Sequence, residues 1–65
     1  MGKKYNVYIV SKFRKGMNIA DTCIGKDMSE RLADRREMTG LSRINEDYFI
    51  DVVEVENDKY KVLIK

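Results

Sequence analysis

A run of aromatic and β-branched residues predicts a β-strand near the start of the chain, from Lys4 to about Lys12. The strand is apolar on both faces, with Tyr5, Val7 and Ile9 on one and Tyr8 and Val10 on the other. A turn is expected at residues 13–16. Residues 17–24 end in the β-favouring Thr22-Cys23-Ile24 and predict a second, weaker strand. If these residues form a loop instead, the domain has one strand fewer.

The most regular strand pattern lies near the C-terminus, where residues 48–56 and 59–64 flank Asn57 and Asp58. Both of these residues tolerate the positive φ that a two-residue type I′ turn requires. The resulting register matches opposite charges on one face and apolar groups on the other: Glu56 with Lys59, Glu54 with Lys61, Val55 with Tyr60 and Val53 with Val62. We therefore expect a C-terminal β-hairpin.

One helix is expected between these regions, from Met28 to about Thr39. Asp27 is the expected N-cap, with Glu30 at the spacing of a capping box, and Gly40 is expected to end the helix in a left-handed conformation. At 100° per residue, the stripe expected to face the sheet is Met28, Leu32, Arg35 and Thr39, bordered by Arg31, Arg36 and Met38. Residues 30, 33, 34 and 37 fall on the opposite side.

Together these elements predict a small α+β domain spanning residues 1–65, with residues 1–3 frayed. The expected architecture is a twisted antiparallel sheet of three to four strands, in the order ββαββ or βαββ, with one helix packed on one face. Of the 65 residues, 43% are apolar and 37% charged, which is typical of a soluble folded domain. The longest apolar run, Val7 to Val10, is far shorter than the roughly 20 residues that span a bilayer. We expect a cytoplasmic protein with no membrane partner.

The side chains needed for most catalytic and metal sites are missing. The chain has no His and one Cys, which excludes an imidazole base, a Cys-His nucleophile pair and the usual zinc sites. Gly25-Lys26 lacks the other residues of a phosphate-binding loop, and the four glycines form no dinucleotide-binding motif. We therefore expect no enzymatic activity, no cofactor and no metal.

Two expectations concern the oligomeric state. A chain this short buries only about 60% of the surface that its unfolded form exposes, and one Cys excludes an intrachain disulfide, so oligomerisation is the remaining way to brace it. Because one helix covers one sheet face, an apolar patch is expected on the other: Tyr8, Val10, Tyr48, Ile50, Val52 and Leu63. Either the N-terminal segment or the 41–47 loop folds across it, or two copies form a homodimer, sheet to sheet or edge to edge.

Basic residues form two candidate binding surfaces, the loop Lys12-Phe13-Arg14-Lys15 and the helix arginines Arg31, Arg35 and Arg36. The net charge of +2 hides an asymmetry, since ten basic and five acidic residues lie in 1–45 and three basic and six acidic residues in 46–65. The helix arginines either pack their stems on the sheet, one of them pairing with Asp51, or recognise phosphates or carboxylates.

These features predict a non-catalytic binding module, a small regulatory, adaptor or inhibitor protein that acts on a protein partner as a homodimer. The alternative is a nucleic-acid-binding module that uses the 12–15 loop and the helix arginines, whose affinity would fall steeply with salt. Proteins of this size class are common among phages and mobile elements.

Overall fold

A computed structural model describes residues 2–63 of the chain, which form one helix and two sheets. The elements are β1 (Tyr5–Ser11), β2 (Ile19–Ala20), β3 (Thr22–Met28), α1 (Glu30–Leu41), β4 (Tyr48–Glu54) and β5 (Lys61–Val62), with 3₁₀ turns at Lys12–Arg14 and Val55–Asn57. The main sheet is antiparallel, in the order β3-β1-β4, and β2 pairs with β5 in parallel. The predicted α+β class, a helix packed on an antiparallel sheet, is confirmed. Met1, part of the predicted frayed start, and Ile64, in the predicted last strand, lie outside the described residues.

Strand β1 lies in the middle of the main sheet because it is apolar on both faces. Val7 and Val10 are fully buried, one on each face. Its register with β4 is unbroken over seven residue pairs, from Tyr5 opposite Glu54 to Ser11 opposite Tyr48. Its register with β3 shifts twice, so the two edges of this sheet differ in regularity.

The predicted C-terminal hairpin is wrong. Strand β4 pairs with β1, residues 55–57 form a 3₁₀ turn, and the chain then crosses the sheet to pair β5 with β2. Glu54 contacts Lys3, at 3.1 Å between Oε1 and Nζ, in place of the expected Lys61. The physical reason is burial, since β1 offers β4 a partner buried on both faces and the charged 59–61 segment does not.

The predicted second strand is divided in two at Asp21. The carboxylate of Asp21 accepts hydrogen bonds from the Ser11 amide (2.7 Å) and from Arg14 Nε (3.1 Å), which turns the chain between β2 and β3. Strand β3 then continues beyond the predicted end at Ile24 to Met28.

Both predicted helix boundaries need correction. Ser29 is the N-cap, with its Oγ accepting from the Leu32 amide at 3.3 Å, whereas Asp27 belongs to β3 and has a φ of 55°. Gly40 lies inside the last helical turn. A Cβ at Gly40 would lie 2.8 Å from Ile24 Cδ1 and 3.0 Å from Ile50 Cδ1, so this glycine lets the helix approach the sheet closely.

The helix also turns a different face to the sheet than predicted. Ala33 is only 1% exposed and Gly40 is buried, whereas Leu32 is 50% and Met38 71% exposed. Small residues allow the helix axis to lie close to the sheet. The larger side chains that were predicted to face the sheet lie at the side of the helix and toward solvent.

The C-terminal segment covers the second face of the sheet, in place of the N-terminal segment or the 41–47 loop. The ring of Tyr60 packs on that of Tyr8, with centroids 5.0 Å apart. This core consists of Tyr8, Val10 and Ala20, with Cys23, Phe49, Val53 and Tyr60 packed around it. The expectation that Tyr8 and Val10 are exposed is therefore wrong.

Candidate binding cleft

An open cleft of about 510 Å³ lies between α1 and the sheet, on the side of β3. Aliphatic side chains and the helix backbone form its floor, and two arginines stand on its rim. Its lining is Ile9, Ile24, Arg36, Thr39, Gly40 and Arg43, which we call the arginine cleft. The volume falls within the range of about 300–1,000 Å³ that is usual for ligand sites.

Helical spacing places the rim residues in a row. Arg36, Thr39 and Arg43 are three and four residues apart, which brings them to one flank of the helix. Arg43 lies two residues beyond the last helical residue, Leu41, and its amide donates to the Gly40 carbonyl at 3.0 Å, which keeps it close to the helical path. At 100° per residue, the acidic residues Glu30, Asp34 and Glu37 fall on the opposite flank. The helix is therefore basic beside β3 and acidic on its other side.

The edge of β3 holds Arg36 in position. Its Nη1 donates a hydrogen bond to the Ile24 carbonyl, an acceptor at the free edge of the sheet. A guanidinium has five N–H donors, so most of those of Arg36 remain for a ligand. Within residues 2–63 the ion pairs are Lys3 with Glu54 and Arg14 with Asp21. Neither cleft arginine is neutralised by a direct acidic partner among those residues.

A second hollow, of about 330 Å³, continues from the cleft along the helix. It shares Arg36 and Thr39 with the cleft and adds Met28, Leu32 and Arg35. The half-exposed Leu32 lies on this flank beside Arg35, so apolar and positively charged groups alternate there. All four residues of the stripe that was expected to face the sheet thus line a solvent-facing groove.

The predicted basic residues are divided between two places. Arg35 and Arg36 line the cleft and its extension, and Arg31 is exposed elsewhere on the helix. In the 12–15 loop, Arg14 is tied to Asp21, and the remaining residues form a separate tip. Phe13 is 85% exposed there, and Lys12 and Lys15 line a small hollow with Phe49. The predicted pairing of an arginine with Asp51 is wrong, because Asp51 accepts a hydrogen bond from Tyr60 Oη at 2.5 Å.

The six residues predicted as an apolar patch do not share a face. Tyr8 and Val10 are opposite Asp51 and Phe49, on the face that Tyr60 covers, whereas Ile50 and Val52 are half-buried on the helix face. Tyr48 is exposed at the start of β4, and the Leu63 amide donates to the Ala20 carbonyl at 3.0 Å. The original premise for a homodimer, one continuous exposed patch, is wrong, and the oligomeric state stays a prediction.

The sequence patterns did not point to Arg43 or to the floor residues Ile9 and Ile24. The spacing of Arg36, Thr39 and Arg43 is a helical signal, but it lies across Gly40, where the helix was expected to end. The floor depends on how closely the helix approaches β1 and β3, which no local pattern encodes.

A partly buried hydrogen-bond cluster, the Asp58 clasp, holds the C-terminal segment over the sheet. The Asp58 carboxylate accepts from Tyr8 Oη, from Asn6 Nδ2 (2.7 Å) and from the Tyr60 amide (2.8 Å). Burial acts to raise the pKa of Asp58, but these hydrogen bonds outweigh it and lower that pKa below its ordinary value. Burial and the hydrogen bond to Asp58 raise the pKa of Tyr8, and burial and the bond to Asp51 raise the pKa of Tyr60 to about 12.

Comparison of the chain with models of protein families, with curated proteins and with solved structures finds no match. In the described part of the chain, no helix is long and apolar enough to cross a membrane. Among residues 2–63, no three His, Cys, Asp or Glu side chains are grouped so that they could hold a metal ion.

Proposed function

We propose that this protein is a non-catalytic binding module, a regulator, adaptor or inhibitor that recognises an acidic segment of a protein partner through the arginine cleft. One observation carries the proposal: Arg36 and Arg43 stand over an aliphatic floor without direct acidic partners in the described chain. Guanidinium groups bind carboxylates through paired N–H donors, and the floor accommodates a neighbouring aliphatic side chain. We place this binding in the cytoplasm, where the Cys23 thiol would stay reduced.

The charge distribution favours a short acidic segment over a long polyanion. Glu30, Asp34 and Glu37 occupy the far flank of the same helix, and the net charge of the chain is only +2. A nucleic acid that continued past the cleft onto that flank would meet like charge. An acidic peptide segment ends before it reaches these residues.

The decisive comparison is Arg43→Glu against Arg31→Glu. Both arginines are exposed and both substitutions change the charge by the same amount, but only Arg43 lines the cleft. Tagged protein and both variants are used to capture partners from nuclease-treated lysate of the source cell, and the captured protein is then titrated by calorimetry. We expect Arg43→Glu to weaken binding by about 2 kcal/mol or more, about 30-fold, and Arg31→Glu to change it little. Equal losses in the two variants would contradict a role for the cleft.

The 12–15 loop supports a second candidate, nucleic-acid binding. Phe13 is 85% exposed between Lys12 and Arg14, a geometry suited to base stacking beside phosphate contacts. In that case the affinity for a single-stranded oligonucleotide falls steeply with salt and is lost in Phe13→Ala. Arg43→Glu then lowers that affinity only through the change in net charge.

A further inference from the structure

The two edges of the main sheet are built differently. The β3 edge is irregular, with two register shifts, the exposed Lys26 and Asp27, and an edge carbonyl taken by Arg36. Such features block pairing with a further strand. Strand β4, Tyr-Phe-Ile-Asp-Val-Val-Glu, contains no Lys, Arg, Pro or Gly and keeps an unbroken register with β1. The β4 edge therefore has neither the irregular register nor the exposed lysine of the β3 edge.

The register shows which backbone groups of β4 face outward. The Lys12 amide donates to the Asp47 carbonyl, and the Val55 amide donates to the Lys4 carbonyl, each at 2.9 Å. Because inward and outward groups alternate along a strand, the odd-numbered residues of β4 bond to β1 and the even-numbered ones point away. The N–H groups of Ile50, Val52 and Glu54 therefore face outward, and within residues 2–63 no strand pairs with this edge.

We propose that a second copy of this chain pairs with β4 in antiparallel fashion, around a two-fold axis at Val52. Ile50 then lies opposite Glu54 of the second copy, and Asp51 opposite Val53. All three outward N–H groups of each copy gain a carbonyl acceptor, and three strands from each copy form one continuous sheet. Association in this way also braces a fold whose buried hydrophobic residues are few: Val7, Tyr8, Val10, Ala20 and Ala33.

Charge and hydrogen bonding favour this register over the two whose axis lies nearer the start of β4. A two-fold axis at Asp51 would set two Asp51 carboxylates directly opposite each other, which is destabilising. An axis at Ile50 would require the Tyr48 amide, which already donates to the Asn45 carbonyl at 3.2 Å. The axis at Val52 avoids both conflicts.

The pairing has a consequence for binding that rests on the proposed function. The two-fold axis is perpendicular to the sheet, so both helices lie on the same face. The arginine clefts lie toward the two outer β3 strands, which are five strand spacings apart, about 24 Å. A partner with two acidic segments would then bind both clefts, with a gain in avidity.

The test compares the full chain with Val52→Pro and Val52→Thr by light scattering. Proline at Val52 removes an N–H that faces away from β1, a place where edge strands accept proline, whereas threonine keeps both the N–H and the branched shape. We expect a mass of twice 7.6 kDa for the native chain and Val52→Thr, and 7.6 kDa for a folded Val52→Pro. A native mass of 7.6 kDa at concentrations up to about 1 mM, or a Val52→Pro variant that is still dimeric, would overturn the proposal.

Hydrogen exchange of the native chain tests the same pairing without any variant. We expect the amides of Ile50, Val52 and Glu54 to be protected at high concentration and to exchange faster on dilution. The amides of Asp51 and Val53, which face β1, stay protected throughout. Free exchange of the three outward amides at high concentration overturns the pairing. The measurement needs no protein partner, so a failure of the strand pairing can be distinguished from a failure of the arginine cleft to bind an acidic segment.

Discussion

Removing the Asp58 carboxylate is the sharpest test of how this fold is held together. In Asp58→Ala, Tyr8 Oη, Asn6 Nδ2 and the Tyr60 amide all lose their acceptor. Tyr8 and Asn6 are each only 5% exposed, so water does not readily replace the lost carboxylate. The C-terminal segment, which the clasp anchors over the sheet, is expected to loosen.

The magnitude follows from the two buried donors. A buried donor without an acceptor costs about 1 to 3 kcal/mol, so two of them lower the free energy of unfolding by about 3 kcal/mol. For a domain of this size each kcal/mol shifts the midpoint of thermal unfolding by about 4–8 °C, which predicts a drop on the order of 12–24 °C. A loss of 3 kcal/mol is a large share of the total stability of a small domain.

The assay is urea denaturation followed by circular dichroism, with Glu56→Ala as the matched control. Glu56 is an exposed acid in the same segment, so its removal changes the charge equally without opening the clasp. Tyr8→Phe combined with Asp58→Ala is expected to destabilise the chain by less than the sum of the single effects, because both remove the same bond. If Asp58→Ala changed the free energy of unfolding by less than about 0.5 kcal/mol, as surface substitutions do, the clasp would not hold the segment.

Three further predictions follow from the structure, two on pH dependence and one on the helix cap. Folding lowers the pKa of Asp58, so the stability that this carboxylate contributes is complete above its ordinary pKa of 3.8 and is lost as the pH falls through the lower folded pKa. We therefore expect the stability of Asp58→Asn to fall less steeply with acid than that of the native chain. Folding raises the pKa of Tyr60 from 10.0 to about 12, so the stability that its protonated hydroxyl contributes is present below pH 10 and is lost as the pH rises through about 12. We expect Tyr60→Phe to lack this loss of stability at alkaline pH. In denaturant titrations we expect Ser29→Ala to lower the free energy of unfolding by about 1 kcal/mol. Asp27→Gly should not lower it, because glycine readily adopts the φ of 55° at this position. The opposite result would show that Asp27 is the N-cap of the helix.

The candidate site was predictable only in part. Arg35 and Arg36 were identified because arginines within an apolar helical stripe are unusual. The expected stripe faced the sheet, whereas in the structure it borders the arginine cleft. Arg43 was missed because Gly40 is a common helix terminator in sequence, and here it serves close packing against Ile24 and Ile50.

Local patterns by themselves determined the two long strands β1 and β4 and the presence of one helix between them. The aromatic and β-branched runs Tyr5–Ser11 and Tyr48–Glu54, and the helical segment between them, follow from residue type and spacing, which are properties of neighbours along the chain. Such patterns also established the α+β class, since one helix and several strands have few ways to pack.

Tertiary structure decided the pairing. Strand β4 is apolar on both faces, so its pattern suits either the 59–64 segment or β1 as a partner, and only the greater burial beside β1 selects between them. The sheet-facing side of the helix was likewise decided by the fit of Ala33 and Gly40 against the sheet, since the apolar stripe alone favoured Leu32. Local spacing specifies which residues share a face. Which faces are buried against each other depends on segments that are far apart in sequence, so it is decided only when the chain folds.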